Sequence, residues 1–416
     1  MNKEPVYLGL TKLQIIIWMA VILYFFNIFN VGHYLIFALL PLICWLIFRN
    51  TNKVNYFQLL LFLFCSIYTY LLFNYHQRPT GVLIVTLLFP SVFYFFGDYL
   101  AKNDTSFKKT YFLLLSITTT LVTFAFLSLI TSDISNLAAW RGVSSIWGEN
   151  ISATGLNTYL SLGLSLLPIC LFSTNKKVRL IALLNFILSV YCMLKLGSRT
   201  GIIIIAVPTA VSFLLLGKMN IRKVLGIIFF VFLCFITWNY IDSTYLFSRL
   251  SSMDNFNDPR FAVWKDAVIG IFKYPLGGNK VSLPLKYAHN MWLDVGIESG
   301  ILPFVLLIIL TVSPFITLFY LLRNNFPNTL KMSFICILSS FFICFFLEPI
   351  MEGWLYYFNG FCFFLGIMNR IVKEHRSNTI NEIYSYNVKS HLLIISLVLL
   401  LFSLSMVIYL TTTFNI

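Results

Sequence analysis

The stretch Asp258–Gly300, DPRFAVWKDAVIGIFKYPLGGNKVSLPLKYAHNMWLDVGIESG, is the core of the longest polar interval in an otherwise mostly apolar chain. Its first part carries Phe261, Trp264, Val268 and Ile271 at helical spacing, which predicts an amphipathic helix along a membrane surface. A Pro-Leu-Gly-Gly turn ends that helix, and a second helical stretch follows. The apolar blocks on both sides decide the fold, because they must hold this loop on one side of a membrane.

Composition places the chain in the membrane. Of its 416 residues 59% are hydrophobic and 11% are charged, whereas soluble proteins average about 25% charged. The apolar residues fall in blocks near the length that crosses about 30 Å of hydrocarbon. Thirteen spans are predicted, near 13–29, 34–48, 56–73, 80–97, 111–130, 154–173, 178–195, 201–217, 224–240, 299–322, 329–347, 353–369 and 391–412.

The predicted fold class is therefore an all-α polytopic membrane protein with about 12–13 transmembrane helices in one domain, residues 1–416. With a cytoplasmic N-terminus, 19 of the 29 Lys and Arg fall on the inner side, and only 5 of the 15 Asp and Glu do. This asymmetry follows the positive-inside rule and supports the orientation. It places the large 241–298 loop, with its short amphipathic helices, on the outer face.

Several functional classes find no support in the sequence. The net charge of +14 is typical of cytoplasmic loops that face anionic membrane lipid, so no nucleic-acid partner is predicted. No Walker or Rossmann glycine loop and no metal-ligand motif stands out, so no nucleotide, cofactor or metal is expected. The eight cysteines all fall in predicted spans and are interpreted as small core residues.

Two polar turns on the outer face carry candidate cations. Arg199 lies where one span follows another, so the start of the next helix and the guanidinium together suit a phosphate. The alternative role for Arg199 is that of an interfacial anchor. For nearby Lys195 the anchor role is the preferred interpretation. Arg141 is a candidate phosphate or sugar ligand, or a solvated loop residue. Asn150, in the same loop, is expected to help cap the next helix.

The long loop adds two further candidates. Arg260 lies at the start of the predicted amphipathic helix, where its charge opposes the helix dipole, so a bound anion would explain it. His289 is the histidine of the long outer loop, and the acidic Asp294 and Glu298 that follow would raise its basicity. A structural role is the alternative for both residues.

Acidic and amide groups complete the set. Glu348 and Glu352 bracket a turn at the membrane edge, where carboxylates are costly unless they are paired, and an arginine is the expected partner. Glu298 lies where the next span begins. Asn290 follows the loop histidine directly. We predict that four residues bind substrate: Arg141, Asn290, Glu298 and Glu348. For Glu348 and Glu352, which bracket the turn, an interfacial role is the alternative.

Taken in order, these pieces resemble the O-antigen polymerase and ligase superfamily (Wzy-type repeat-unit polymerases and WaaL-type ligases). The resemblance rests on the Arg141 loop with WGEN, SRTG at 198–201, PRFAVW at 259–264, YPLGG at 274–278 and AHNMWLDVGIESG at 288–300. These motifs cover a small part of the chain, and the span layout covers nearly all of it.

The resemblance implies a GT-C-like glycosyltransferase that needs neither metal nor nucleotide. Its substrate would be an undecaprenyl-pyrophosphate-linked oligosaccharide, which it would polymerise in the periplasm or at the outer surface of the bacterial inner membrane. Arg199 and Arg260 would bind the pyrophosphate as catalytic residues, and His289 would act at the acceptor hydroxyl. Membrane lipid and a protein that sets chain length are further expected partners.

Two rival functions stay open. Ligases of the superfamily have His-Asn, nine residues, Gly, two residues, then Gly, Thr or Tyr; here Pro303 stands at the last position, which favours a polymerase over a ligase that transfers glycan to lipid A core. A flippase of lipid-linked sugars would carry charged residues deep in several spans. The predicted mid-span positions are nearly free of charge, which favours surface chemistry.

Overall fold

The computed structural model describes residues 10–50, 56–76, 79–132, 142–216, 259–285 and 287–379. Within these ranges the chain is almost entirely helical. The helices are α1 Lys12–Phe25, α2 Gly32–Asn50, α3 Tyr56–His76, α4 Thr80–Leu100, α5 Lys108–Thr131, α6 Ala153–Leu164, α7 Leu167–Phe172, α8 Lys176–Leu196, α9 Arg199–Leu216, α10 Pro259–Lys273, α11 Met291–Ser299, α12 Ile301–Arg323, α13 Asn328–Leu347, α14 Ile350–Gly353 and α15 Leu355–Thr379. A 3-10 turn, Ile28–Asn30, and a hairpin of β1 Gly142–Ser144 and β2 Asn150–Ser152 complete the described elements.

Eight of these helical stretches are long and apolar enough to cross a membrane: α3, α4, α5, α6 with α7, α8, α9, α12 and α13. This confirms the prediction of an all-α polytopic membrane protein. The first two predicted spans overlap α1 and α2, and the twelfth overlaps α15; these three helices are not among the eight, and α1 ends at Phe25, before the predicted end of the first span at residue 29. The predicted spans 224–240 and 391–412, and residues 241–258 of the large loop, lie outside the described residues.

The chain folds into two compact units. Unit 1 comprises Met1–Gly32, Asp104–Phe261 and Leu318–Tyr357. Its helices pack closely where side chains are small: a Cβ on Gly163 of α6 would lie 2.1 Å from Ser189 Oγ of α8. Asn185 of α8 donates to Thr119 Oγ1 of α5 at 2.9 Å. Such small-residue contacts and interhelical hydrogen bonds replace the hydrophobic effect between helices in lipid.

Unit 2 comprises His33–Asn103, Ala262–Thr317 and Phe358–Ile416. Here α4 and α15 approach through reciprocal glycines. A Cβ on Gly97 would lie 2.0 Å from Phe363 O, and one on Gly366 would lie 2.1 Å from Tyr94 O. The two backbones are therefore in direct contact. The single transmembrane domain expected over residues 1–416 stays a prediction.

Two local expectations need correction. Asn150 does not cap α6; the cap is Ser152, whose Oγ accepts from Gly155 N at 3.1 Å, while Asn150 pairs with Ser144 in the hairpin. A serine with extended backbone directly before the helix serves as cap, and a paired strand residue is two positions too early.

The apolar stripe of α10 is divided in the structure. Ile271 is buried with Val263 and Ala267, whereas Phe261 and Val268 are exposed. The helix therefore presents apolar residues on two faces, one to the core and one outward.

Candidate functional site

Arg260 lies in the first turn of α10, as expected, and belongs to unit 1. Its Nη1 donates to the carbonyl of Leu347 at 3.4 Å. Leu347 is the last residue of α13, so the guanidinium meets the negative end of a helix dipole. This contact explains a cation at the start of α10 from within the fold. A bound anion is therefore not required to explain Arg260 at this position.

Glu348 directly follows α13 and is only 1% exposed. Its Oε2 makes no hydrogen bond with the residues that the structure describes. Burial raises the pKa of the Glu348 carboxyl to about 8, and the nearby Arg260 guanidinium lowers it in part. The expected arginine partner is thus present. At neutral pH this carboxyl is mostly protonated, so it carries little negative charge beside Arg260.

Arg199 is the first residue of α9, in unit 1. The turn before it is fixed by Ser198, whose Oγ accepts from Gly201 N at 3.3 Å and donates to Asn157 Oδ1 at 2.6 Å. Arg199 is half-buried. Lys195, by contrast, is exposed with its Nζ 5.9 Å from the Tyr191 ring, a geometry that suits the predicted interfacial anchor.

His289, in unit 2, has a left-handed backbone with φ of +53°. Both of its neighbours are held firmly. Asp294 Oδ1 accepts from Ala288 N at 2.7 Å, and its Oδ2 accepts from Asn290 N at 3.3 Å. Trp264 Nε1 donates to Ala288 O at 2.8 Å. Non-glycine residues rarely adopt this conformation, which persists only when the surrounding structure enforces it.

The acidic residues after His289 have structural partners. Asp294 bonds to backbone amides, and its two oxygens fix the loop. Glu298, 7% exposed in the last turn of α11, accepts from Tyr68 OH at 2.9 Å. Asn290 caps α11, since its Oδ1 accepts from Leu293 N at 3.2 Å. These contacts show how the loop is built, and they place Glu298 in the packing of unit 2.

The Pro-Leu-Gly-Gly turn closes against the end of α11. Gly278 N donates to Glu298 O at 2.8 Å, and Ile301 N donates to Pro275 O at 2.9 Å. Gly277 and Gly300 both have positive φ, and a Cβ on Gly277 would lie 2.5 Å from Gly300 N. Only glycine permits this approach, so the two motifs quoted from the sequence form one rigid turn.

The predicted site residues therefore fall into two groups. Unit 1 holds Arg199, Arg260 and Glu348, of which the last two are neighbours. Unit 2 holds the α11 group, His289, Asn290 and Glu298. Arg141 lies outside the described residues.

Sequence reasoning missed two supporting residues. Asn157 and Tyr68 each contact a motif residue far along the chain, so no local spacing reveals them. Across the described part of the chain, no group of three His, Cys, Asp or Glu side chains has the arrangement to hold a metal ion. No protein-family model matches the chain, and no curated protein matches it.

Proposed function

We propose that this protein is a membrane glycosyltransferase that polymerises undecaprenyl-pyrophosphate-linked oligosaccharide repeat units of O-antigen or capsule. The reaction takes place on the outer face of the bacterial inner membrane, with the N-terminus in the cytoplasm. The charge asymmetry of the predicted loops supports that orientation. The quoted motifs and the multi-pass helical architecture support the class.

The observation that carries the proposal is the backbone of His289. A left-handed conformation at a non-glycine residue costs on the order of 1–3 kcal/mol and concentrates at functional sites. Here Asp294 and Trp264 hold the two neighbouring residues, so the loop fixes the backbone that carries His289 before any substrate binds. Such preorganisation is what a group that must meet a reacting hydroxyl needs.

In the proposed reaction the acceptor sugar hydroxyl attacks the anomeric carbon of the donor. The bond from that carbon to the pyrophosphate oxygen breaks, and a glycosidic bond forms. His289 accepts the hydroxyl proton, and the pyrophosphate leaves as an anion stabilised by Arg199 and Arg260. The donor already carries its leaving group, so no nucleotide is consumed.

Arg260 suits this role because two of the groups beside it carry little negative charge. One is a carbonyl and the other, Glu348, is mostly protonated at neutral pH. An ionised glutamate there would cancel the charge that a pyrophosphate needs. We therefore propose that Glu348 supports Arg260 and does not itself contact substrate.

The first experiment compares surface polysaccharide from a deletion strain complemented with wild-type protein, His289→Ala or His33→Ala. His33 is half-buried like His289 and is the matched control. We expect His289→Ala to lower polymer yield by at least about 100-fold, the usual contribution of a general base. His33→Ala should give a normal ladder, and both variants should reach the membrane in equal amounts.

The glycan pattern of the deletion strain separates the candidate functions. A single repeat unit on the acceptor supports a polymerase. Long polymer that remains on the carrier lipid would instead indicate a ligase, and unchanged glycan would refute both. Arg199→Ala and Arg260→Ala should also abolish polymer while the protein still inserts. Normal polymer in either variant removes that arginine from the mechanism.

A further inference from the structure

The chain between α1 and α2 contains an unexplained strained residue. Phe29 has φ of +48° and ψ of +26°, and 66% of its surface is exposed. Asn27 is left-handed too, but asparagine tolerates that conformation. For an exposed phenylalanine the conformation is unfavourable, and burial gives no compensation. An exposed strained aromatic residue points to a role in binding.

A second aromatic residue fixes this ring in place. Trp147 lies at the tip of the hairpin formed by residues 142–152, which we call the WGEN hairpin. Its ring centroid is 4.4 Å from that of Phe29. Its Nε1 donates to Phe26 O at 3.3 Å, and Asn27 Nδ2 donates to Glu149 Oε2 at 3.3 Å. The turn and the hairpin are thus joined at several points within unit 1.

The hairpin tip is itself rigid. Ser145 Oγ accepts from Trp147 N at 3.2 Å and from Glu149 N at 3.1 Å, and Ser145 N donates to Glu149 O at 2.6 Å. Gly148, between them, has φ of +86° and open space where a side chain would stand. The two rings are therefore preorganised beside an accessible surface, which lowers the cost of binding a ligand.

The polar groups around the rings indicate the ligand. Ser144, Glu149 and Asn150 are exposed on the same hairpin. Interfacial aromatic residues that sit in lipid need neither a carboxylate beside them nor a strained backbone, and a carboxylate opposes insertion. Aromatic faces beside carboxylate and amide groups suit a pyranose, which has one apolar C–H face and hydroxyls at its edge.

We infer that Phe29 and Trp147 form a carbohydrate-binding platform, with Glu149 and Asn150 as hydrogen-bonding groups for sugar hydroxyls. The platform itself stands on geometry. Its ligand rests on the proposed function, which makes it a sugar ring of the repeat-unit glycan.

The test measures oligosaccharide binding to the purified full-length protein in detergent. The probe is the source strain's own surface polysaccharide, partially hydrolysed to oligosaccharides, and the readouts are saturation-transfer NMR and a titrated Kd. We expect Trp147→Ala and Phe29→Ala to weaken binding by about tenfold or more, near 1.4 kcal/mol. Trp147→Phe keeps a ring but loses the hydrogen bond to Phe26 O, so it should weaken binding less than Trp147→Ala does. Phe272→Ala, at an equally exposed phenylalanine, should change nothing.

Two outcomes would overturn the platform. One is wild-type protein that does not bind the oligosaccharides. The other is unchanged oligosaccharide binding by both alanine variants. If those variants also lose co-purified phospholipid, the two rings belong to the lipid interface. Failure of the proposed function gives a different result: the deletion strain keeps its normal glycan while wild-type protein still binds oligosaccharide through Trp147.

Discussion

Replacing Glu348 with glutamine should remove a pH dependence of stability. The carboxyl is almost fully buried, and burial raises its pKa from an ordinary 4.5 to about 8. Arg260 from α10 and Cys344 in α13 are the ionisable groups that couple to it electrostatically. Glutamine has the shape of the protonated acid but does not titrate, so Glu348→Gln isolates the cost of ionisation.

The sign follows from proton binding. Between pH 4.5 and 8 the folded protein holds a proton on Glu348 that the unfolded chain has lost. Stability is therefore highest at low pH and falls as the pH rises through this window. From pH 6 to pH 9 the loss is about 3 kcal/mol, because roughly two pH units below the folded-state pKa each contribute about 1.4 kcal/mol.

Thermal unfolding of the purified protein in detergent measures this effect. Wild-type Tm should fall by several degrees more than that of Glu348→Gln between pH 6 and pH 9, and the difference between the two proteins should shrink as the pH is lowered from 6 toward 4.5. Asp266→Asn, at an exposed carboxylate of α10, should follow wild type. Parallel curves of Tm against pH for wild type and Glu348→Gln would refute the reasoning. So would a wild-type Tm that rises relative to that of Glu348→Gln toward pH 9.

Three further substitutions test the architecture of the α11 region in unit 2. Gly277→Ala places a methyl group 2.5 Å from the Gly300 backbone nitrogen, at a φ of +79°. It should lower stability in thermal unfolding by on the order of 2 kcal/mol. Gly81→Ala, with open space around it, is the control and should be neutral. Tyr68→Phe removes the donor to a buried carboxylate oxygen and should lower stability by about 1–3 kcal/mol, so an unchanged Tm would contradict that hydrogen bond. Asp294→Asn should speed hydrogen exchange of the amides on both sides of His289, as read by mass spectrometry; unchanged exchange would show that the carboxylate does not hold the loop.

Much of the fold could be predicted because membrane helices carry their own signal. An apolar block of sufficient length must form a helix in lipid, whatever it packs against. For that reason the predicted spans at 80–97 and 329–347 fall within α4 and α13. Turn signals were equally local, since proline and glycine after Tyr274 end α10.

The candidate site was predicted only in part. Arg260, His289 and Glu348 stood out as polar residues in unusual positions, but their partners are remote in sequence. Leu347 O is 87 residues from Arg260, and Tyr68 is 230 residues from Glu298. No periodicity or spacing encodes such pairs, so the structure alone gives Glu298 a packing role and Arg260 an internal acceptor.

The sequence by itself determined the membrane class, the helical spans and the turns, because each depends on local hydrophobicity or on the backbone freedom of glycine and proline. The tertiary structure decided which polar groups meet. It buried Glu348 beside Arg260, and it brought Phe29 against Trp147 of the WGEN hairpin. Burial and proximity between distant segments set the pKa of a carboxyl and the geometry of a binding surface, and both depend on how the helices pack.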